Sequence, residues 1–371
     1  MLAIHTNAWS SGRWQEPLAE HLDSPRTLAL VFGAPEFIDA PAVFLELRRA
    51  FPRSVLHGCS TAGEICGARI FDGSLVLAIV RFESTRLEQA TEVAADAFLS
   101  GRLLGERLLK PDLAGALVLS DGAGMNGSAL TRGLREALGG LPVSGGLAGD
   151  GDRFQRTWVL GDGVPQTNLV SAVGFYGTDV RLSHGSRGGW DVFGPERFVT
   201  RSRGNVLFEL DGKPALDLYR QYLGDRASGL PASALLFPLS LRETRDGPAL
   251  VRTVLSVDES ARSMTFAGEL PEGSLAQLMR ANFERLIQGA SDASGLVARH
   301  QGPALSIAIS CIGRRLVLKQ RAEDELDAVV ERLGESFQQI GFYSYGEITP
   351  HGDVGCELHN QTMTLTGISE L

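Results

Sequence analysis

Near its C-terminal end the chain reads Gly341-Phe-Tyr-Ser-Tyr-Gly-Glu-Ile348, and a related stretch, His57-Gly-Cys-Ser-Thr-Ala-Gly-Glu-Ile65, lies close to its start. Both stretches carry Gly-Glu-Ile, follow a helix-then-strand pattern and precede an apolar strand. A glutamate is rarely buried without a partner, and glycine removes the side chain where the backbone must turn or approach another group closely. The duplication therefore predicts two related pockets, or one pocket built from two halves.

The pattern around these stretches predicts a unit that occurs three times. Each unit begins with a nearly continuous apolar run, which is typical of a central strand covered on both faces. These runs are residues 27–33, 115–121 and 304–311. A helix follows each run, at residues 42–50, 129–138 and 322–333. We therefore predict an α/β or α+β fold, with mixed sheets built from repeated strand-helix-strand units in two domains.

The turn after each helix carries an acid: Glu64, Asp150 or Glu347. Each carboxylate is either a structural acceptor for backbone N–H groups of its turn or a contact to a shared ligand. Three acids in equivalent places favour one converging site.

A different segment lies between the second and third units. Residues 199–212 predict a hairpin that ends in an Asp-Gly turn, and Pro214 opens a helix at the position where its missing N–H matters least. A long amphipathic helix is predicted over residues 274–288. We place a domain boundary close to Gly212.

Length and composition limit the class of protein. A chain of 371 residues predicts two domains, and a net charge of −9 argues against a nucleic-acid binder. Four cysteines without a CxxC pattern predict a reducing, cytoplasmic location. Because no apolar stretch of 18 residues occurs, membrane insertion is not expected.

Four ordered motifs resemble FIST proteins, in which a FIST N domain precedes a FIST C domain. They are residues 58–65, Gly145-Gly-Leu-Ala-Gly-Asp150, Leu210-Asp-Gly-Lys-Pro-Ala-Leu216, and residues 341–348 with 358–365. The resemblance covers nearly the whole chain from residue 25 onwards. It implies an N-terminal tail at 1–24, a FIST N-type domain at 25–212 and a FIST C-type domain at 213–371.

The resemblance implies an intracellular sensory protein in signal transduction. FIST modules are found alone or joined to kinases and cyclic-nucleotide signalling domains. Some stand-alone bacterial members look like haem proteins that sense nitric oxide and regulate a partner histidine kinase, and others are proposed to bind small ligands such as amino acids. Without an attached output domain, this chain is expected to act on a separate signalling protein.

A haem would need an axial ligand, most often a neutral imidazole in an apolar slot. The residues proposed for haem are His184 as iron ligand, His57 and His359 as further candidates, and Arg187 as a propionate partner. His184 is expected in a glycine-rich loop, where its alternative role is a hydrogen bond within the turn. His300 is expected in a surface loop.

A small metabolite would instead need a few convergent polar groups. The candidates are Glu64, Asp150, Asn205, Tyr343, Tyr345, Glu347 and Asn360. Catalysis is not expected, since Cys59 and Ser120 lack a recognisable base at a characteristic spacing, and HExxH, Walker A and GxSxG motifs are absent.

Overall fold

The computed structural model describes residues 2–297, 302–351 and 355–371, so His300 lies outside the described residues. The strands are β1 (Ala3–Ser10), β2 (Arg13–Trp14), β3 (Thr27–Gly33), β4 (Val55–Ser60), β5 (Glu64–Cys66), β6 (Arg69–Phe71), β7 (Leu75–Arg81), β8 (Arg86–Val93), β9 (Leu113–Ser120), β10 (Val143–Leu147), β11 (Val159–Gly161), β12 (Val164–Gln166), β13 (Leu169–Tyr176), β14 (Val180–Arg187), β15 (Asp191–Val192), β16 (Arg197–Arg203), β17 (Val206–Leu210), β18 (Lys213–Pro214), β19 (Leu239–Arg242), β20 (Leu250–Arg252), β21 (Val254–Asp258), β22 (Ser263–Phe266), β23 (Leu275–Arg280), β24 (Ala304–Cys311), β25 (Phe337–Ser344), β26 (Gly346–Pro350), β27 (Cys356–His359) and β28 (Met363–Glu370).

The α-helices are α1 (Ala42–Ala50), α2 (Ala97–Leu108), α3 (Gly127–Leu138), α4 (Ala215–Leu223), α5 (Phe283–Val297), α6 (Ile312–Leu318) and α7 (Ala322–Leu333). Short 3₁₀ helices occur at Glu20–Leu22, Pro35–Asp39, Gly224–Gly229, Ala232–Leu236 and Lys319–Arg321. No helix in the described part of the chain has both the length and the apolar character needed to cross a membrane.

Three mixed sheets share one strand plan. Their orders are β12-β11-β4-β3-β7-β1, extended by β2, then β27-β26-β10-β9-β13-β8, and β6-β5-β25-β24-β28-β14. In each sheet the two central strands are parallel and are separated in sequence by helices, whereas the flanking strands are antiparallel. The predicted mixed α/β fold built from a repeated unit is therefore confirmed.

Each unit contributes a two-stranded hairpin to the sheet of the next, in a ring. Strand β5 of the first unit joins β25 of the third, β26 of the third joins β10 of the second, and β11 of the second joins β4 of the first. Three backbone hydrogen bonds repeat at equivalent positions, from Ala62 N–H to Tyr343 O (2.8 Å), from Tyr345 N–H to Leu147 O (3.2 Å) and from Gly149 N–H to Ser60 O (3.0 Å). The core thus has approximate threefold symmetry.

The segment predicted as an N-terminal tail, 1–24, contains β1, whose residues 3–9 pair with β7 in the first sheet. Strand β1 takes the edge position that β8 and β14 take in the other two sheets. This strand has no continuous apolar run that would predict it, and most of its residues are only half-buried. The boundary near Gly212 stays a prediction, and the third sheet joins strands from both sides of it.

A fourth sheet is inserted between β14 and α5, with the order β20-β19-β23-β16-β17-β22-β21. It has its own apolar core, which includes Leu207, Tyr219 and Phe266. The helix predicted over residues 274–288 is wrong in its first half. Leu275–Arg280 form strand β23, whose residues 275–278 pair with β19, and the helix starts only at Phe283. The side chain of Asn282 accepts the N–H of Arg285 (3.3 Å) and so favours a helix start there.

Candidate functional site

Glu64 is buried at the start of β5, with 1% of its surface exposed. It accepts hydrogen bonds from the hydroxyl of Thr61 and from the hydroxyl and N–H of Ser74 (2.6 and 3.1 Å). The carboxyl group therefore joins its own turn to the residue that precedes β7. This is the structural role that the sequence left open.

Glu347 repeats this arrangement in the third unit. It accepts from the hydroxyl of Ser344 (2.7 Å) and from the hydroxyl and N–H of Thr362 (2.8 and 3.2 Å), which precedes β28. The hydroxyl donor stands three residues before the glutamate in both units. The repeated motif thus reflects a repeated set of contacts.

Asp150 is not the counterpart of these glutamates. Val159 of the second unit pairs with Cys59 at the sheet position that Glu64 and Glu347 take in the other two. The loop of residues 150–158 intervenes, and Asp150 accepts three N–H groups of residues 154–156 and the hydroxyl of Tyr345. The prediction that the three acids occupy equivalent positions is therefore wrong, because this loop separates Asp150 from the strand position that the two glutamates occupy.

In the second unit, Asp121 accepts hydrogen bonds comparable to those of the two glutamates. It is buried at the end of β9 and accepts the hydroxyl of Thr157 (2.7 Å) and the N–H of Asn168 (2.7 Å), just before β13. Sequence reasoning missed this role because Asp121 follows the first strand of its unit, whereas the two glutamates follow the second. Its place directly after a buried strand was the available signal.

The two glutamates should make stability depend on pH. Burial raises the pKa of Glu64 to about 7 and that of Glu347 to about 8, against an ordinary value of 4.5. The folded protein then keeps protons that the unfolded chain releases. The stabilisation is present below about pH 4.5 and is lost as the pH rises through about 7 to 8.

We expect the free energy of unfolding to fall from pH 5 to pH 8, by at most about 1.4 kcal/mol per pH unit for each group. Glu347→Gln should make this dependence shallower, since an amide does not titrate. Urea denaturation across this pH range measures the slope, and Glu335→Gln at an exposed position is the control. An unchanged slope in Glu347→Gln would contradict the assignment.

The remaining predicted polar residues do not form one site. The Tyr343 hydroxyl donates to Glu325 (3.1 Å), inside the core. Asn205 lies in the β16–β17 turn of the fourth sheet, where its amide donates to Phe266 O (2.8 Å). Asn205 is thus held locally by its own hairpin and does not join the other candidates.

A cavity of about 350 Å³ lies where β14, the β26–β27 hairpin and the start of β20 meet. Its wall includes His184, Arg187, His351 and His359, and these four residues define the histidine cavity. Three of them were predicted haem contacts, so the structure brings His184, Arg187 and His359 together. His351 was not among the candidates, although it follows Glu347 closely in the sequence.

His184 lies in strand β14, opposite Thr366, and not in the loop that the sequence predicted. Both of its ring nitrogens are buried, and no described residue hydrogen-bonds to either. The expected bond within a turn is therefore not formed. His359 is 7% exposed and its Nε2 is likewise buried without a partner among the described residues. Buried polar groups normally have partners, so these nitrogens are candidate ligand contacts.

The imidazoles of the cavity are neutral near pH 7. Burial lowers the pKa of His184 to about 4 and that of His359, which also lies near His351 and Arg252, to about 3. Burial also lowers the pKa of His351. A neutral imidazole offers one N–H donor and one acceptor nitrogen, so these rings can recognise polar groups without adding charge.

His57 is not part of this wall. It is fully buried in β4, its Nδ1 lies 3.2 Å from the hydroxyl of Ser171, and burial lowers its pKa to about 3. This contact joins the first and second sheets, so His57 has a structural role.

The cavity adjoins the turn of Glu347. Thr362 lines the cavity and also donates to Glu347 (2.8 Å). Asn360 and Gln361 precede Thr362 in the sequence. Their side chains are buried without hydrogen-bond partners among the described residues. Two of the predicted small-ligand residues, Glu347 and Asn360, are therefore close in sequence to the wall of this cavity.

A second cleft, of about 470 Å³, shares His351 with the histidine cavity and lies between α3 and the fourth sheet. Arg132 of α3 pairs across it with Glu269 (2.7 Å). Arg252, at the end of β20, donates to Leu358 O of the β26–β27 hairpin (3.1 Å). The fourth sheet thus contacts the core through polar groups beside the cavity.

The histidine cavity fits a haem only in part. His184 offers an unpartnered neutral imidazole, as an axial ligand requires. The volume of about 350 Å³ is at the low end of the roughly 300–1,000 Å³ typical of ligand pockets, and a haem with two propionates needs more room. No cluster of three His, Cys, Asp or Glu groups suited to a metal ion occurs in residues 2–297, 302–351 and 355–371.

Two family models match successive parts of the chain. The model of the FIST N domain matches residues 27–213, and that of the FIST C domain matches residues 215–350. Together they define a two-domain α/β protein of the sensory class. The chain belongs to the FIST family, whose domains are signal-transduction sensor domains.

An uncharacterized protein of Methanocaldococcus jannaschii is 23% identical over 350 residues, which cover 82% of this chain and 66% of the relative. The chain thus spans just under two thirds of that protein's length. Among solved structures, the cyanuric acid hydrolase of A. caulinodans aligns with 100% of this chain and 99% of its own, at 10% identity and a TM-score of 0.38. A likeness at this level carries no conclusion about function.

Proposed function

We propose that this protein is a ligand-binding sensory protein whose input site is the histidine cavity. The observation that carries the proposal is the set of buried, unpartnered ring nitrogens of His184 and His359 in a cavity of ligand size. A cavity with a few convergent polar groups is the usual form of a small-molecule site. The family's sensory role agrees with it.

The signal would be a shift between two arrangements of the fourth sheet. The cavity wall combines β14, the β26–β27 hairpin and β20, so a ligand that bridges them favours the arrangement in which they are close. The Arg132–Glu269 pair and the Arg252–Leu358 hydrogen bond would change with this arrangement. A separate signalling protein, such as a histidine kinase, would read the difference.

The net charge of −9 suits a partner with a basic docking face, which would associate faster at low salt. We place the protein in the cytoplasm, since its four cysteines are free, as in proteins of reducing compartments.

We propose that the protein binds its ligand without catalysing a reaction. Burial raises the pKa of the Cys59 thiol well above its ordinary value, which leaves little nucleophilic thiolate. The hydroxyl of Ser120 donates to the carbonyl of Asp121 (3.0 Å). Neither candidate nucleophile is therefore arranged for attack on a substrate.

A thermal-shift screen of small metabolites tests the proposal. A ligand at a hundredfold excess over its Kd stabilises the folded state by about 2.7 kcal/mol, which raises Tm by a few degrees. We expect at least one compound to raise Tm in the wild type and not in His184→Ala. His21→Ala, at an exposed position outside the cavity, is the matched control. Compounds that stabilise wild type and His184→Ala equally would contradict the site.

Haem-based sensing of nitric oxide is the second candidate, favoured by the neutral, unpartnered ring of His184. Arg187 is the exposed cation of the same wall and would pair with a propionate. The fourth sheet would have to move away from β14 to admit the macrocycle. Haemin titration should give a Soret band that shifts on reduction and nitric oxide addition, and that is lost in His184→Ala. An equal band in the variant would exclude His184 as the ligand.

A further inference from the structure

The histidine cavity presents hydrogen-bond donors and no acid. Among the described residues that form its wall, none is an aspartate or a glutamate. Arg187 is exposed there, and its only described partner is a backbone carbonyl, Ser186 O (2.9 Å). The wall therefore has one free positive charge that no carboxylate of the described chain neutralises.

A second cation lies directly behind the wall. Arg252 follows Val251, which lines the cavity, and its guanidinium is buried. Its hydrogen bonds go to carbonyl oxygens of Val251, Glu269 and Leu358 (3.3, 3.1 and 3.1 Å). Three acids act on it, Glu357, Glu269 and Glu243, and therefore compensate its charge. Arg187 is thus the cation of the cavity wall that no described carboxylate neutralises.

The imidazoles add donors without adding charge. His184 and His359 are neutral near pH 7 because burial lowers their pKa values to about 4 and about 3. Each neutral ring has one N–H to donate. A carboxylate has about four acceptor sites and can take the guanidinium and ring N–H groups together.

The rest of the wall combines hydroxyl groups, of Ser186, Thr349 and Thr362, with apolar side chains. Val251 and Leu296 face the cavity together with Pro350. An inorganic anion would gain nothing from these side chains, and a phosphate dianion would favour more than one guanidinium. An amino acid would also lack an acidic partner for its ammonium group. One negative charge on a small apolar body fits the wall best.

We propose that the ligand of the histidine cavity is a small organic carboxylate, whose carboxylate group pairs with Arg187 at the edge strand β14, beside the buried rings of His184 and His359. The inference rests on the proposed function, because it names the ligand class of the same site. The ligand's apolar body would lie against Val251 and Leu296, so that it joins β20 of the fourth sheet to β14 and α5 of the core.

Three ligands of similar size and different charge test this inference: benzoate, benzamide and benzylammonium. Titrations followed by the ring NMR signals of His184 and His359 would report the affinity at this cavity. We expect benzoate to bind at least tenfold more tightly than benzamide, and benzylammonium to bind least. In Arg187→Ala the affinity for benzoate should fall tenfold or more, with that for benzamide unchanged.

Arg181→Ala is the matched control, since Arg181 is an exposed arginine of the same strand that donates to carbonyls of residues 178 and 180. It should bind benzoate like the wild type. Benzamide or benzylammonium binding as tightly as benzoate would overturn the carboxylate assignment but leave the cavity as a ligand site. If none of the three shifts the histidine signals, the carboxylate assignment is overturned, and the metabolite screen with His184→Ala decides the proposed function separately.

Discussion

Replacing Arg314 by methionine is expected to lower the free energy of unfolding by about 3–5 kcal/mol. Arg314 and Glu325 have fully buried side chains, with Nη2 and Oε2 2.7 Å apart. Removing the arginine leaves a carboxylate in the core with only neutral partners, the hydroxyls of Ser310 (3.0 Å) and Tyr343 (3.1 Å). An uncompensated buried charge is strongly destabilising.

Arg314 also joins parts of the chain that are distant in sequence. It donates to Leu286 O of α5 (2.8 Å) and to Gly188 O, at the end of β14 where the chain leaves for the fourth sheet. Gly188 lines the histidine cavity. The substitution should therefore weaken ligand binding at the cavity as well as the fold.

Urea denaturation measures the effect of Arg314→Met on stability. Arg321→Met is the control, because Arg321 pairs with Glu284 at the surface (2.7 Å, side chains 40% and 78% exposed), where such pairs contribute about 1 kcal/mol or less. The double variant Arg314→Met/Glu325→Met should be more stable than Arg314→Met alone, since neither charge remains unpaired. A loss in Arg314→Met no larger than in Arg321→Met would contradict the role of this pair.

The sequence predicted the local part of the fold well. Helices α1 and α7 occur at their predicted bounds, and α4 begins directly after Pro214 as predicted, because apolar spacing and end residues are properties of the segments themselves. The first strands of the units were visible as continuous apolar runs. The exchange of β5, β11 and β26 between sheets was not predictable, since a strand's own residues do not specify which edge it joins.

The candidate site was also predictable only where it depends on local sequence. The shared contacts of Glu64 and Glu347 follow from a repeated local motif, whereas Asp150 was misaligned by an inserted loop. His184 and His359 meet because β14 and the β26–β27 hairpin belong to different sheets that pack together. Their proximity depends on tertiary packing, which a motif cannot reveal.

Substituting alanine for Gly145 is expected to destabilise the fold by about 2–6 kcal/mol, the sum of about 1–3 for overpacking and about 1–3 for backbone strain. Gly145 has a φ of +146°, and an added Cβ would lie 1.7 Å from Val118 O of the neighbouring parallel strand. A backbone carbonyl within a sheet cannot move aside as a flexible side chain can. Thermal and urea unfolding would measure the loss.

The other two units provide an internal comparison for Gly145→Ala. Added Cβ atoms at Gly58 and Gly341 would lie 1.9 and 1.8 Å from the carbonyl oxygens of Val31 and Ala308, but neither glycine has a positive φ. Their alanine variants should therefore show the overpacking loss of about 1–3 kcal/mol without the added strain.

Gly140→Ala, where nothing lies within 4 Å of the added Cβ, is the control that separates these effects from glycine removal in general. The order of destabilisation should be Gly145 first, Gly58 and Gly341 next, and Gly140 last. Because the three close contacts occupy equivalent places in the three sheets, this order tests the threefold architecture directly. If all four variants were equally stable, the close approach of the parallel strands would be refuted.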